Sequence, residues 1–412
     1  KGPAFGEFSI LEPNQLVSKT PTELAIDGVQ FQFQYTPESE APAEFTFYLP
    51  QYKAFCGGEV VSRNMHNLYT LRGAKVRDAL KWSAYIEEAR NLFADADIYF
   101  ASHHWPMWGK ERIQTFLKQQ RDTYKFIHDQ TVRRMNQGMT PGEIAEDLAL
   151  PDSLAQTFSS RGYYGTVKHN ARAVYQGYLG WYDANPANLN PLPPVQNAAK
   201  TIEYMGGADK VIEQARKDYD NGEYRWVASV MNQVVFADPS NQAARELGAN
   251  ALEQLGYQAE AGTWRGAYLM GAQELRNGTL PPTVGSLSPD VLQALDTGMF
   301  FDLMGVRLDA AKAEGKHLVI NWQLTDTNEN YRLNLEHSTL TYRANTQDDN
   351  AQATVSMNRD TLDQILLRRT TFPDAVKAGL IKISGEPNAF FGLLQMLEVP
   401  SGDFPIVTPV SN

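Results

Sequence analysis

The chain carries seven histidines, His66, His103, His104, His128, His169, His317 and His337. The most suggestive stretch is Ser102-His103-His104-Trp105-Pro106, which follows the apolar run Ile98-Tyr99-Phe100-Ala101. A histidine just past a hydrophobic strand offers imidazole nitrogen to a metal at a sheet rim. Two hydrogen-bonded loop histidines are the plainer reading of the same residues. Gly57-Gly58-Glu59 follows another strand-like segment, and its glycines permit a tight turn that projects Glu59 from the sheet edge, as a ligand or as a solvated turn residue. Further on, His66 precedes Arg72 in Asn64-Met65-His66-Asn67-Leu68-Tyr69-Thr70-Leu71-Arg72-Gly73. An imidazole and a guanidinium at that spacing can grip an oxyanion, the Arg as a fixed fork and the His as proton donor. A plain loop with Arg72 capping a helix uses the same residues. Glu40 and Glu44 form an acidic pair before a strand and are ordinarily surface charges. The stretch from Arg161 through Gly162-Tyr163-Tyr164-Gly165 to Lys168 and His169 suits an anion and equally an inter-helix turn. Cys56 has no nearby partner that would make it a nucleophile and reads as packing. His128, His317 and His337 fall in helix or strand patterns and read as structural. P-loop, G-x-G-x-x-G, G-x-S-x-G and C-x-x-C motifs do not occur.

These residues need elements to place them. Phe31, Phe33 and Tyr35 alternate with glutamines, and Phe45, Phe47 and Leu49 alternate likewise, which predicts half-buried strands. Residues 76–93 read as an amphipathic helix and 98–101 as a short strand, a strand–helix–strand order that presents polar groups at strand ends. From about 110 to 278 the pattern is helical. Thr140-Pro141-Gly142-Glu143 is a helix start with cap, first-turn proline and reciprocal glutamate. Residues 208–278 suggest helical hairpins of tetratricopeptide type. After a Pro-rich linker over 280–285, short alternating strands at 317–322, 330–335, 338–344 and 353–357 precede a helix at 359–367, an α+β unit. The fold class is therefore α/β, then all-α, then α+β.

The chain has 412 residues, 37 Lys and Arg, 48 Asp and Glu, and a formal charge of −11. That length implies several domains. The acidic balance argues against binding duplex nucleic acid, which relies on basic side chains. One cysteine excludes an internal disulfide, and no apolar run approaches the ~18 residues that would span a bilayer.

Taken in order, the segments around Glu40-Ala41-Pro42-Ala43-Glu44, Glu59, His66 to Gly73, Ser102 to Pro106, Gln120-Arg121-Asp122 to Thr131, Arg161 to Thr166 and Tyr178-Leu179-Gly180-Trp181-Tyr182-Asp183 closely resemble the zinc-dependent alkylsulfatases, class III sulfatases of the metallo-β-lactamase superfamily. The resemblance covers essentially the whole chain. It implies three parts: the later half of a metallo-β-lactamase-like αββα domain (1–125), a helical dimerisation domain (126–285), and a sterol-carrier-protein-like domain (286–412). It implies hydrolysis of alkyl sulfates at a centre of two zinc ions, with Glu40, Glu59 and His104 as ligands and Glu59 bridging. It further implies His66 as general acid, Arg72 and His169 on the sulfate oxygens, and Tyr178 or Tyr182 as additional contacts. It also implies a homodimer and export to the periplasm or medium. The family's His-x-His-x-Asp-His metal motif is not matched here, and three ligands are too few for two zinc ions, each needing about four donors. The expectation is a carboxy-terminal piece of a larger enzyme whose remaining half is cleaved, disordered or a separate chain. A non-catalytic dimerisation and lipid-binding module, or a lactonase or phosphodiesterase of the same superfamily, are the alternatives.

Overall fold

The alternating aromatic segments do pair as strands. In the computed structural model, which describes residues 13–280, 295–399 and 402–410, β1 (Thr22–Ile26) and β2 (Val29–Tyr35) form a hairpin. Its turn is Asp27-Gly28, both at positive φ (50° and 78°), as the twist of a two-residue hairpin loop demands. β3 (Phe45–Leu49), β4 (Ala54–Cys56), β5 (Ile98–Phe100) and β6 (Met107–Trp108) follow in a six-stranded sheet whose spatial order is the sequence order. Only β4 and β5 run parallel. A parallel pair needs a crossover, and helix α1 (Ala79–Leu92) lies within it. The helix begins later than the apolar pattern suggests. Asp78 caps it by accepting the N–H groups of Leu80 and Lys81, leaving 76–78 outside.

One face of the sheet carries Phe31, Phe33, Phe45, Phe47 and Phe100, with ring centroids 5.1–6.0 Å apart. The other face buries Tyr48, Phe55 and Tyr99 against Trp82, Ile86 and Ala89 of α1 and against Ile113, Phe116 and Leu117 of α2 (Lys110–Met135). The boundary expected near residue 125 falls inside α2, a single continuous helix.

Beyond it, α3 (Pro141–Asp147) starts with the expected capping box between Thr140 and Glu143. Then come α4 (Asp152–Ala155), α5 (Val167–Leu179) and α6 (Pro194–Tyr204). The hairpin pattern of 208–278 becomes α7 (Ala208–Asp220), α8 (Tyr224–Ala237), α9 (Gln242–Gln258) and α10 (Gly262–Asn277). Val227, Val230, Met231, Val234, Leu247 and Leu275 fill the core between these helices. The chain's final segment returns here. The N–H groups of Ile406 and Val407 donate to one oxygen of Glu274 (2.7 and 2.9 Å), and Val407 packs on that core. Among the described residues, 15–279 with 405–410 make one compact unit, and 13–14, 280, 295–399 and 402–404 belong to a second.

In the second unit the predicted strands are β7 (Leu318–Leu324), β8 (Glu329–Glu336), β9 (Thr339–Ala344) and β10 (Ala353–Met357). An unexpected edge strand, β11 (Lys382–Gly385), completes the order β11-β10-β7-β8-β9, with only β10 and β7 parallel. Helix Arg359–Leu366 is where the pattern puts it, and helices Phe372–Lys377 and Pro387–Gln395 are additional. Trp322, Phe300, Phe301, Phe372 and Phe390 form its aromatic core. The predicted linker lies, apart from Leu280, outside the described residues. Among the described residues no helix is long and apolar enough to cross a membrane.

Candidate metal centre

Three loops at one end of the six-stranded sheet deliver Glu40, Glu59 and His66 to one place, with their ligand atoms all within 4.8 Å of one another. Glu40 sits in the loop between β2 and β3. Glu59 sits in the turn after β4, which is tied to β5 by Gly57 N–H donating to Phe100 O (2.8 Å) and Ser102 N–H donating to Gly58 O (3.2 Å). The glycine pair is required: a Cβ at Gly57 would stand 2.5 Å from Val61 O, and Gly58 has φ +56°.

His66 is fixed by its backbone. Its N–H donates to the Tyr124 hydroxyl (3.0 Å), and its carbonyl accepts from Asn170 Nδ2 (2.9 Å). The Asn170 amide oxygen in turn accepts Leu68 N–H (2.9 Å), so α5 holds the loop at two points. The predicted Arg161–Thr166 loop contributes through Gly165, whose N–H donates to Met65 O (2.9 Å). A Cβ on Gly165 would lie 2.6 Å from Asn67 N, so backbone packs directly on backbone. The imidazole, 3% exposed, stands edge-on to Tyr164 with centroids 4.8 Å apart. His66 Nδ1 is 3.0 Å from Asn67 O, which makes it the protonated nitrogen and leaves Nε2 with the lone pair. Burial holds this imidazole's pKa down to about 4, against the Asn67 hydrogen bond.

Arg77, absent from the sequence reading, binds the cluster together. Its Nε donates to Glu40 O (2.6 Å), Nη2 pairs with Glu40 Oε1, and Nη1 donates to Asn67 O (2.9 Å) and to the Asn67 side chain. Burial raises the Glu40 pKa, the Arg77 charge opposes this, and the neighbouring Glu59 charge adds to it. Glu44, expected at the surface, is instead partly buried with its carboxylate facing inward. Burial lifts its pKa to about 7 even though it accepts Glu59 N–H at 3.0 Å.

The remaining predicted site residues are placed differently. His103 Nε2, rather than His104, meets Glu59 Oε1. His104 is outside the three-donor cluster. It has φ +68°, its ring stands edge-on to Phe158 at 6.4 Å, and burial lowers its pKa. Arg72 is exposed in the loop 71–75, close enough for its charge to act on Glu40. Both nitrogens of His169 are engaged. Nε2 meets Tyr69 O, and Nδ1 accepts from Trp264 Nε1 (3.2 Å), so this side chain braces the His66 loop from behind. Tyr178 O–H bonds His128 Nε2 (2.8 Å), whose Nδ1 meets Asp129 (2.8 Å). Tyr182 packs beside Trp181 with centroids 5.7 Å apart. No local pattern marks Arg77, Asn67, Tyr124 or Asn170, because each acts through a fold-dependent contact.

Glu40 and Glu59, with the His103 imidazole on Glu59, offer oxygen and nitrogen donors of the kind zinc accepts, and His66 stands beside them. The repulsion that Glu59 imposes on Glu40 is what a divalent cation between them would relieve. The donors present therefore fit a zinc ion.

Comparison with known proteins agrees with the motif order. Residues 140–278 match the family model described as alkyl sulfatase dimerisation, and 285–409 match alkyl sulfatase C-terminal. An alkyl/aryl-sulfatase of Saccharomyces cerevisiae is 50% identical over 100% of this chain and 64% of its own length. A linear primary-alkylsulfatase of Pseudomonas sp. (strain ATCC 19151) is 33% identical over 92% of this chain and 74% of its own. The solved stereoselective inverting sec-alkylsulfatase from Pseudomonas sp. superposes with a TM-score of 0.92 at 41% identity, over 98% of this chain and 64% of that one. The chain thus spans 64% of the yeast relative's length and nearly three quarters of the Pseudomonas strain's enzyme. With identity sustained along the whole polypeptide and the same architecture, this chain belongs to the alkylsulfatase family.

Proposed function

We propose that the protein hydrolyses alkyl sulfate esters of the dodecyl-sulfate type to an alcohol and inorganic sulfate. The observation that carries this reading is the convergence of Glu40, Glu59 and His66 in a chain whose relatives are alkylsulfatases. Glu40 and Glu59 would hold zinc, together with a histidine of the His103-His104 turn. Bound zinc would supply an acidified water near neutral pH and offset negative charge. Three donors fall short of two complete zinc shells, so we assign the others to a protein segment outside these 412 residues. The six-stranded sheet is then the matching half of a metallo-β-lactamase-like domain.

His66 has its Nδ1 proton committed to Asn67 O, so proton traffic runs through Nε2, which would relay a proton from the attacking water to the bridging ester oxygen as its bond breaks. Arg72, exposed at its loop, grips sulfate oxygens. His169 and Tyr178 hold the surrounding loops and helices, and neither they nor Tyr182 is assigned a catalytic step. The second unit has a groove of about 590 Å³ walled by Ile365, Phe372, Phe391 and Leu394 with Arg368 among its lining, which suits an amphiphile and a sterol-carrier-like role. The region 140–278 would form a homodimer.

Release of sulfate from dodecyl sulfate, set against lactone and phosphodiester panels, together with zinc analysis of the intact protein, tests the reading. Near two zinc ions per protomer with sulfatase turnover is expected. Absence of both would leave the non-catalytic lipid-binding module.

A further inference from the structure

We propose that Glu44 is a positioning residue that sets the spacing of the two metal carboxylates. The inference rests on the reading of Glu40 and Glu59 as zinc donors. Glu44 closes the loop that carries Glu40: its own carbonyl accepts Thr36 N–H (2.9 Å) across the base of that loop. Its carboxylate turns inward instead of outward. One oxygen, Oε1, accepts the backbone N–H of Glu59 at 3.0 Å. The second oxygen, Oε2, is 3.4 Å from Ser39 Oγ.

One residue therefore ties the base of the Glu40 loop, through its carbonyl, to the backbone of Glu59, through its carboxylate, on two loops that no strand pairing joins at this point. The turn has been left bare to admit it. Gly58 has φ +56°, and a Cβ there would stand 3.3 Å from Glu44 Oε1. The Glu59 N–H calls for an acceptor, and a carboxylate presents one on either oxygen, whereas an amide presents one on only one side. Glu44 is not part of the three-donor cluster, so it acts through Glu40 and Glu59. Groups that orient metal ligands in this way change affinity by about 10- to 100-fold when altered.

The test measures zinc affinity by chelator competition on the intact protein, and thermal melting in excess chelator, for wild type, Glu59→Gln, Glu44→Gln and Glu44→Ala. Glu59→Gln should lose zinc almost completely. Glu44→Gln, of the same size, should bind zinc about 10- to 100-fold more weakly, with sulfatase turnover recovering at high zinc. Its melting point in chelator should stay within about 3 °C of wild type. Glu44→Ala should weaken zinc at least as much. Zinc affinity of Glu44→Gln within about twofold of wild type, beside a Glu59→Gln protein that has lost zinc, would overturn the positioning role alone. A zinc loss matched by an equal loss of stability in chelator would overturn it too, because that marks a structural contact. Unchanged zinc binding in Glu59→Gln would instead sink the donor reading on which the inference rests.

Discussion

The two sheets of this protein spend their buried interiors in opposite ways. The five-stranded sheet of the second unit packs Trp322 among Phe300, Phe301, Phe372 and Phe390, an almost wholly apolar core. The six-stranded sheet has an aromatic core of its own, but its loop end draws in Glu40, Glu44, Glu59, His66 and Arg77. Burying such groups costs free energy unless each finds partners. Arg77, Asn67, Asn170 and Tyr124 supply such partners there, and glycines at 57, 58 and 165 let the backbones approach closely. The first interior is stable by area and tolerant of exchange. The second depends on individual contacts.

Breaking the apolar interior should have the largest effect on folding. Phe301→Ala removes a ring lying 5.0–5.4 Å from Phe300, Trp322, Tyr331 and Tyr342, and should destabilise the second unit by about 3–5 kcal/mol, read as a lower melting transition, while zinc content holds. At the other sheet, Gly165→Ala drives a methyl group into the His66–Asn67 backbone and should cost about 3 kcal/mol together with turnover. Gly266, in the middle of α10 with nothing within 4 Å of its Cβ direction, is the control: Gly266→Ala should stabilise by about 0.5–1 kcal/mol. His66→Ala should lower sulfate release by about 100-fold or more with zinc content near normal. Parallel zinc loss would make His66 a ligand.

Smaller effects sharpen the contrast. The Trp322 indole N–H is buried without a hydrogen-bond partner, so Trp322→Phe should change stability by less than about 1.5 kcal/mol in chemical denaturation, the lost area offset by removal of that donor. The smallest effect is expected at the helical surface. Hydrogen bonds from Lys168 and Arg225 hold Glu146 down to about 2. A carboxylate depressed on folding stabilises above its unfolded pKa of about 4.5 and loses that contribution as pH falls toward 2. Because the pairs are exposed, Glu146→Gln should cost only a few tenths of a kcal/mol at pH 7, and the difference from wild type should vanish by about pH 2.

What could be read from the sequence divides along the same line. The strands of Phe31–Tyr35 and Phe45–Leu49, the Thr140–Glu143 cap and the helical hairpins were legible because periodicity and capping are local. Glu40, Glu59 and His66 were legible as members of a motif series, and the structure brings them together. Arg77 was not, nor was the inward turn of Glu44 within its motif, because their partners lie 37 and 15 residues away and only the folded chain joins them. The β11 strand, Lys382-Ile383-Ser384-Gly385, has a single large apolar residue and little alternation to read. His169 and Tyr178 were expected at sulfate, but their polar atoms are bonded within the fold. Spacing cannot distinguish a histidine that meets a ligand from one that meets a carbonyl 100 residues away.

The return of residues 405–410 to the helical unit means that the long stretch assigned to the second unit lies, along the chain, between two segments of the first. Val407 lies against Gly271, and Glu274 holds the two amides 132 and 133 residues downstream. Clipping a few residues from the carboxy terminus should therefore injure α10, far back in the chain, before it touches the unit that immediately precedes the cut. To ask what the second unit contributes, it has to be excised and the ends rejoined, with that last clasp left in place.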